Sequence, residues 1–113
     1  NQTVIYYKNG EVITQGDVVT GNVSQGHSTP AGVYKLDWKA KDYVLRGDGY
    51  ASPVSFWMPF NGGIGLHDAS WRSSFGGSIY KTNGSHGCVN MPYSVAKAIY
   101  ENIEDYTTII CRY

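Results

Sequence analysis

Short apolar runs separated by turn-forming residues fill the first half of the chain, and their composition predicts strands. Thr3-Val4-Ile5-Tyr6-Tyr7 is rich in β-branched and aromatic residues, and Lys8-Asn9-Gly10-Glu11 supplies the Asn-Gly pair of a tight hairpin. Val12-Ile13-Thr14 returns, Gln15-Gly16 breaks the run, and Asp17-Val18-Val19-Thr20 follows. Residues 21–30 carry no apolar period and predict a loop. Strands are expected over residues 32–38, 42–46, 54–58 and 64–67, with a Gly-Asp-Gly-Tyr turn between the second and third. Trp57, Met58 and Phe60 crowd together near glycines and read equally as core or as an aromatic lid. Residues 68–84 show no period and are rich in Ser and Thr, which predicts a long surface loop of the kind that often carries function.

Only one segment has helical spacing. Val95, Ile99 and Ile103 fall on one face, Lys97 and Glu101 on another, with Pro92 suited to the first turn and Asn90 or Met91 to the cap. A final strand is expected over residues 107–112. No repeat, low-complexity tract or linker divides the chain, so residues 1–113 are read as one mainly β domain with one helix beside the sheets. The 14 glycines and 10 tyrosines suit short strands and tight turns better than a helical bundle.

Nine basic and nine acidic residues cancel, and no basic stripe points to nucleic acid or an anionic membrane. There is no run of ~18 apolar residues to span a membrane and no signal peptide. The chain is expected to be a piece of a longer or processed protein.

The reactive inventory is small: three histidines and two cysteines. Cys111 lies in a β-branched run and reads as a small core hydrophobe. Cys88 lies in Ser85-His86-Gly87-Cys88-Val89-Asn90, among polar and flexible residues. A thiol attacks a carbonyl well only as thiolate, and an imidazole within reach can take its proton to give a thiolate–imidazolium pair. Gly87 lets the backbone turn sharply, and the positive end of the helix expected just after Cys88 would favour a thiolate and a developing oxyanion. Either His86 or His67 could be the base, and spacing alone does not choose between them. His67 could be oriented by the backbone carbonyl or carboxylate of Asp68. His27 reads as an exposed loop residue. A metal site of His67, His86 and Cys88, with or without His27, lacks the paired ligands at short spacing that zinc prefers.

His67, a variable gap and then Ser85-His86-Gly87-Cys88-Val89-Asn90 resemble the catalytic signature of the L,D-transpeptidases. Val18-Val19-Thr20-Gly21, Thr29-Pro30-Ala31-Gly32-Val33-Tyr34 and Trp71 match further segments of that family in order. The resemblance implies a two-sheet, mixed β-sandwich-like domain with one helix following the nucleophile. It implies that Cys88 attacks the carbonyl between the third residue and the fourth, D-alanine, of a peptidoglycan tetrapeptide stem. D-Alanine leaves, a thioester forms, and an amine of a neighbouring stem resolves it as a 3→3 cross-link. It favours His67 as base, oriented by the Asp68 carbonyl, with His86 and the N–H groups of Gly87 and Cys88 at the oxyanion and Ser85 shaping the turn. Trp71, Asn90, Tyr50 and Arg72 are the expected substrate-binding residues. Trp71 would be a pocket wall and Tyr50 a lid, while Arg72 would be a carboxylate clamp or a solvated loop arginine.

Further expectations follow from the same resemblance. No metal or cofactor is needed, carbapenems should acylate Cys88, and the protein should be a monomer. The domain should form the C-terminal part of a longer secreted or membrane-anchored chain acting outside the cytoplasm at the cell wall. Water in place of the acceptor amine would make the same acyl-enzyme an L,D-carboxypeptidase. The reading from another class is a non-catalytic wall-binding module, against which the intact Cys/His set argues.

Overall fold

The Asn9-Gly10 pair closes the first hairpin. Both residues adopt positive φ, 54° and 79°, and join β1 (Thr3–Lys8) to β2 (Glu11–Asp17) in antiparallel register. The computed structural model describes residues 2–47, 50–85, 87–104 and 106–111. β2 runs on through Gln15-Gly16, where the residue types predict a break. A Cβ on Gly16 would stand 2.7 Å from Val95 Cγ2, so the glycine is clearance for a helix packed against the strand, not a turn signal.

The remaining strands form two further sheets. β3 (Gly32–Lys35) pairs antiparallel with β8 (Thr108–Cys111). β4 (Ala40–Gly47), β5 (Tyr50–Asn61), β6 (Ile64–Asp68) and β7 (Val89–Met91) form a four-stranded sheet in that order. β6 and β7 run parallel, with Leu66 opposite Val89, His67 opposite Asn90 and Asp68 opposite Met91. The domain is mainly β and mixed, as expected, but its described strands divide among three sheets and not two.

Parallel neighbours cannot be joined by a tight turn and need a crossover of a dozen residues or more. Residues 69–88 are that crossover, which explains the long gap between His67 and Cys88. Where only loop was expected, the crossover carries a short helix, α1 (Ile79–Asn83). The 21–30 loop likewise holds one 3₁₀ turn, Val23–Gln25, capped by Asn22 Oδ1 accepting from the Ser24 N–H at 3.0 Å.

The helix that follows Cys88, α2 (Tyr93–Asn102), starts later than the sequence suggests. Pro92 disfavours helical geometry in the residue before it, and Met91 stays extended in β7. Pro92 (φ −57°, ψ 148°) therefore becomes the N-cap itself, with no side-chain cap. At the other end, Lys39 Nζ donates to the Tyr100 and Ile103 carbonyls (2.9 and 3.0 Å) and Lys8 Nζ to that of Asn102 (2.9 Å). These bonds satisfy acceptors that a helix end leaves without partners.

Val95, Ala96, Ile99 and Ile103 lay the helix on a core that includes Tyr6, Leu36, Phe56, Met58, Leu66, Val89 and Met91. Each full burial of a large apolar side chain contributes about 1.5–3 kcal/mol. Trp57, Met58 and Phe60 are all buried, so this cluster is core and not lid. Cys111 is half-buried against the same core, and both cysteines are free.

Candidate active site

His67 and Cys88 reach one cleft from the two parallel strands' side of the crossover. The cleft encloses about 220 Å³ and is lined by Leu45, Ser52, His67, Trp71, Arg72, Gly84, Ser85, Cys88 and Asn90. A larger hollow of about 350 Å³ between β4, β5 and α2 holds neither cysteine nor histidine. Cys88 and His67 both line the smaller one.

His67 is 3% exposed. Its Nδ1 lies 2.6 Å from the Asp68 carbonyl oxygen, which can only accept, so Nδ1 carries the hydrogen and the Nε2 lone pair is left to accept. Asn90, opposite His67 in the parallel ladder, completes this arrangement. With its amide oriented as its neighbours require, Nδ2 donates to His67 Nε2 at 3.1 Å. Its oxygen then accepts from Arg72 Nε at 2.8 Å and from Nη2 at 3.3 Å. The imidazole is flanked by Trp57 and Trp71, with ring centres 5.9 and 5.8 Å away. Trp57 is buried behind it, whereas Trp71 is 51% exposed at the cleft.

Asp68 is used twice. Its carbonyl faces His67, while Oδ1 accepts from the Ser55 and Phe56 backbone N–H groups, both at 2.9 Å. The carboxylate therefore ties the end of β6 to β5, and it is the carbonyl that meets the ring.

Electrostatics in the cleft favour neutral groups. Burial pushes the His67 pKa down, against the hydrogen bond and charge of Asp68, and the Arg72 cation adds to the lowering. Burial pushes the Cys88 thiol up, opposed by the Gly65 backbone amide. The thiol donates to the Gly63 carbonyl at 3.5 Å. Both shifts run against a resting thiolate–imidazolium pair. The positive end of α2 does not reach Cys88 either. The three residues of β7 put about 10 Å of extended chain between Cys88 and the start of α2, and a helix end acts within its first turn.

Ser85 shapes the turn before Cys88. Its Oγ–H donates to the Cys88 carbonyl, and its oxygen accepts from the Gly87 N–H at 3.2 Å. The Gly87 N–H, expected at the oxyanion, is thus turned toward Ser85. Gly87 sits at φ +121°, where a side chain is strained. His86 and the Tyr50 side chain lie outside the described residues. Arg72, expected in solvent or on a substrate, instead bonds Asn90, which itself serves the histidine. Asn90 is 2% exposed.

Three contributors escaped the sequence reading. Leu45 and Ser52, on the β4–β5 hairpin, form the far wall, and nothing in their local pattern marks them. Thr29, in the matched Thr-Pro-Ala-Gly segment, donates to the Gly87 carbonyl at 2.5 Å. Among the described residues, no three His, Cys, Asp or Glu side chains gather as metal ligands.

Residues 1–111 match the family model for the L,D-transpeptidase catalytic domain. A cysteine-to-serine mutant of an L,D-transpeptidase from Enterococcus faecium is 40% identical, with a TM-score of 0.91, over 97% of this chain and 45% of that one. The catalytic domain from E. faecium acylated by ertapenem is 42% identical, with a TM-score of 0.86, over 97% of this chain and 88% of that one. An L,D-transpeptidase 3 from Mycobacterium tuberculosis carrying a faropenem-derived adduct shares the fold at 20% identity and a TM-score of 0.69, over 95% of this chain and 46% of that one. No curated protein matches. The chain spans less than half of the first of these relatives. The match over residues 1–111 shows that this chain belongs to the L,D-transpeptidase catalytic-domain family.

Proposed function

We propose that the chain is a cysteine acyltransferase that cross-links peptidoglycan stems through a thioester on Cys88. The shared cleft carries this reading: one thiol and one buried imidazole, its Nδ1 held by a carbonyl and its Nε2 lone pair met at rest by the Asn90 amide, which must yield that lone pair to the Cys88 proton. The relatives acylated by ertapenem and carrying a faropenem-derived adduct support covalent chemistry at such a site.

When the donor stem enters, the Cys88 proton passes to His67 Nε2 as sulfur attacks the carbonyl between the third residue and D-alanine. Burial lowers the His67 pKa and raises that of Cys88, so both shifts favour charge that develops as the bond forms, in a site partly closed to water. The Cys88 N–H takes the oxyanion. His67 returns the proton to the departing D-alanine amine, leaving the thioester. The acceptor amine attacks the thioester in its neutral form, gives a proton to His67 as the C–N bond forms, and expels the Cys88 sulfur, which takes that proton from His67. The product is a 3→3 cross-link; water as acceptor would give the carboxypeptidase outcome instead. Trp71, Leu45 and Ser52 wall the donor stem, and the Asn90–Arg72 pair steadies the ring. The substrate puts the reaction outside the membrane, at the cell wall.

Intact-mass spectrometry after meropenem treatment tests the acyl-enzyme. One adduct is expected on the wild type and none on Cys88→Ala. A folded wild type that gains no adduct would refute the proposal.

A further inference from the structure

Thr29 lies far from Cys88 in sequence and does not line the cleft, yet it is one of the few buried polar residues, at 6% exposure. Its hydroxyl is engaged on both sides. The oxygen accepts from the Gly21 N–H at 2.9 Å, and the hydrogen is given to the Gly87 carbonyl at 2.5 Å. The threonine thereby clamps the loop before β3 and the turn before the nucleophile. Gly21 must lack a side chain for this approach, because a Cβ there would fall 1.6 Å from the His27 carbonyl oxygen and 2.7 Å from the Thr29 nitrogen.

The Gly87 carbonyl and the Cys88 N–H belong to one peptide unit. That unit is planar and trans, so the two groups point in opposite directions. Holding the carbonyl toward buried Thr29, away from the cleft, turns the Cys88 N–H toward the side on which Cys88 and Ser85 line the cleft. Neighbouring peptide units are held separately, the one before by Gly87 N–H to Ser85 Oγ and the one after by Ser85 Oγ–H to the Cys88 carbonyl. The central unit depends on Thr29. It is joined to the unit before it through Gly87, whose φ of +121° is open to glycine but strained for a side chain.

We infer that Thr29 is a positioning residue that aims the Cys88 backbone N–H at the oxyanion formed during acylation. The inference rests on the acyl-enzyme reading above. It adds that a hydroxyl outside the cleft sets the one peptide dipole that this chemistry needs and that simple thiol substitution does not.

Thr29→Val keeps the shape and removes the hydroxyl. Two rates are measured on the folded protein: acylation by meropenem, which builds an oxyanion, and alkylation of Cys88 by iodoacetamide, which does not. Loss of one oxyanion donor slows catalysis by about 100–1,000-fold, and a misaimed donor should cost about tenfold or more in acylation. Alkylation should stay within about threefold of wild type, and Thr29→Ser should restore acylation. If Thr29→Val does not fold, Thr29→Ala takes its place. Equal slowing of both rates would overturn the inference, since it indicates general disorder of the turn. Unchanged acylation in the valine or alanine variant, or a serine variant as slow as either, would also overturn it. A wild type that alkylates but never acylates would instead refute the acyl-enzyme reading itself.

Discussion

Asp68→Ala separates the two tasks of the residue beside His67. Asp68 is 4% exposed, and its Oδ1 receives the backbone N–H groups of Ser55 and Phe56. Removing the carboxylate leaves the Phe56 N–H in a buried residue without its acceptor, which costs about 1–3 kcal/mol. The half-buried Ser55 can be resolvated, so its loss costs about 1 kcal/mol. The expected destabilisation is about 2–4 kcal/mol, or roughly 8–16 °C in Tm for a domain of this size. Asp68→Asn keeps an acceptor but loses the charge, and charged bonds are roughly twice as strong as neutral ones, so about half of that loss should remain.

The contact to His67 uses the backbone carbonyl, which alanine retains. Meropenem acylation, measured well below the melting transition, should therefore fall by no more than about tenfold, whereas His67→Ala should lose about a hundredfold or more. Urea denaturation gives the stability and intact-mass time courses give the rate. A cost below about 0.5 kcal/mol, against the 1–3 kcal/mol of an unpaired buried group, would show that the two amides do not depend on this carboxylate. Acylation as slow as in His67→Ala would show that the carboxylate, and not the carbonyl, orients the ring.

Three other outcomes follow from the same geometry. The Cys88 thiol is pushed up, so the ultraviolet absorbance of thiolate, taken as wild type minus Cys88→Ala, should appear only above the ordinary cysteine range; thiolate at neutral pH would restore the ion-pair picture. Because the His67 pKa is lowered, the unfolded chain takes up a proton below about 6.5 that the folded chain refuses. Stability should fall as pH drops through that window, and the fall should shrink in His67→Gln; an equal fall in both would contradict it. Gly87→Ala must either occupy φ +121° or move the turn, and it brings a Cβ within 3.4 Å of Ile64 Cδ1. It should lose about 1–3 kcal/mol of stability and most of its acylation, as urea curves and mass spectra will report. Wild-type behaviour in both would mean that the turn accepts a side chain at this position.

Strands and turns were legible where the signal is local, as in the Asn9-Gly10 hairpin and the β-branched run of β8. The reading failed where distant packing decides. Gly16 looked like a break until Val95 was packed against it. Asn90-Met91 looked like a helix start until pairing with β6 and Val19, together with the restriction from Pro92, kept it extended. At the site, Cys88 and His67 stand out in the sequence because their residue types are rare and chemically paired, and both line one cleft. The resemblance, not the spacing, turned them into a named reaction. Leu45 and Ser52 were invisible because a hairpin closes over the cleft from elsewhere in the chain. Thr29 sat in a matched segment, but its bond to Gly87 spans a separation that no local pattern encodes.

The central claim is transfer of an acyl group from Cys88 to a second stem, and digestion of disaccharide-tetrapeptide by the folded protein tests it most directly. Chromatography and mass spectrometry of the products should reveal a 3→3 dimer with one D-alanine released per cross-link, and neither with Cys88→Ala. D-Alanine release without dimer would make the chain a carboxypeptidase, and a wild type that releases none would contradict the account.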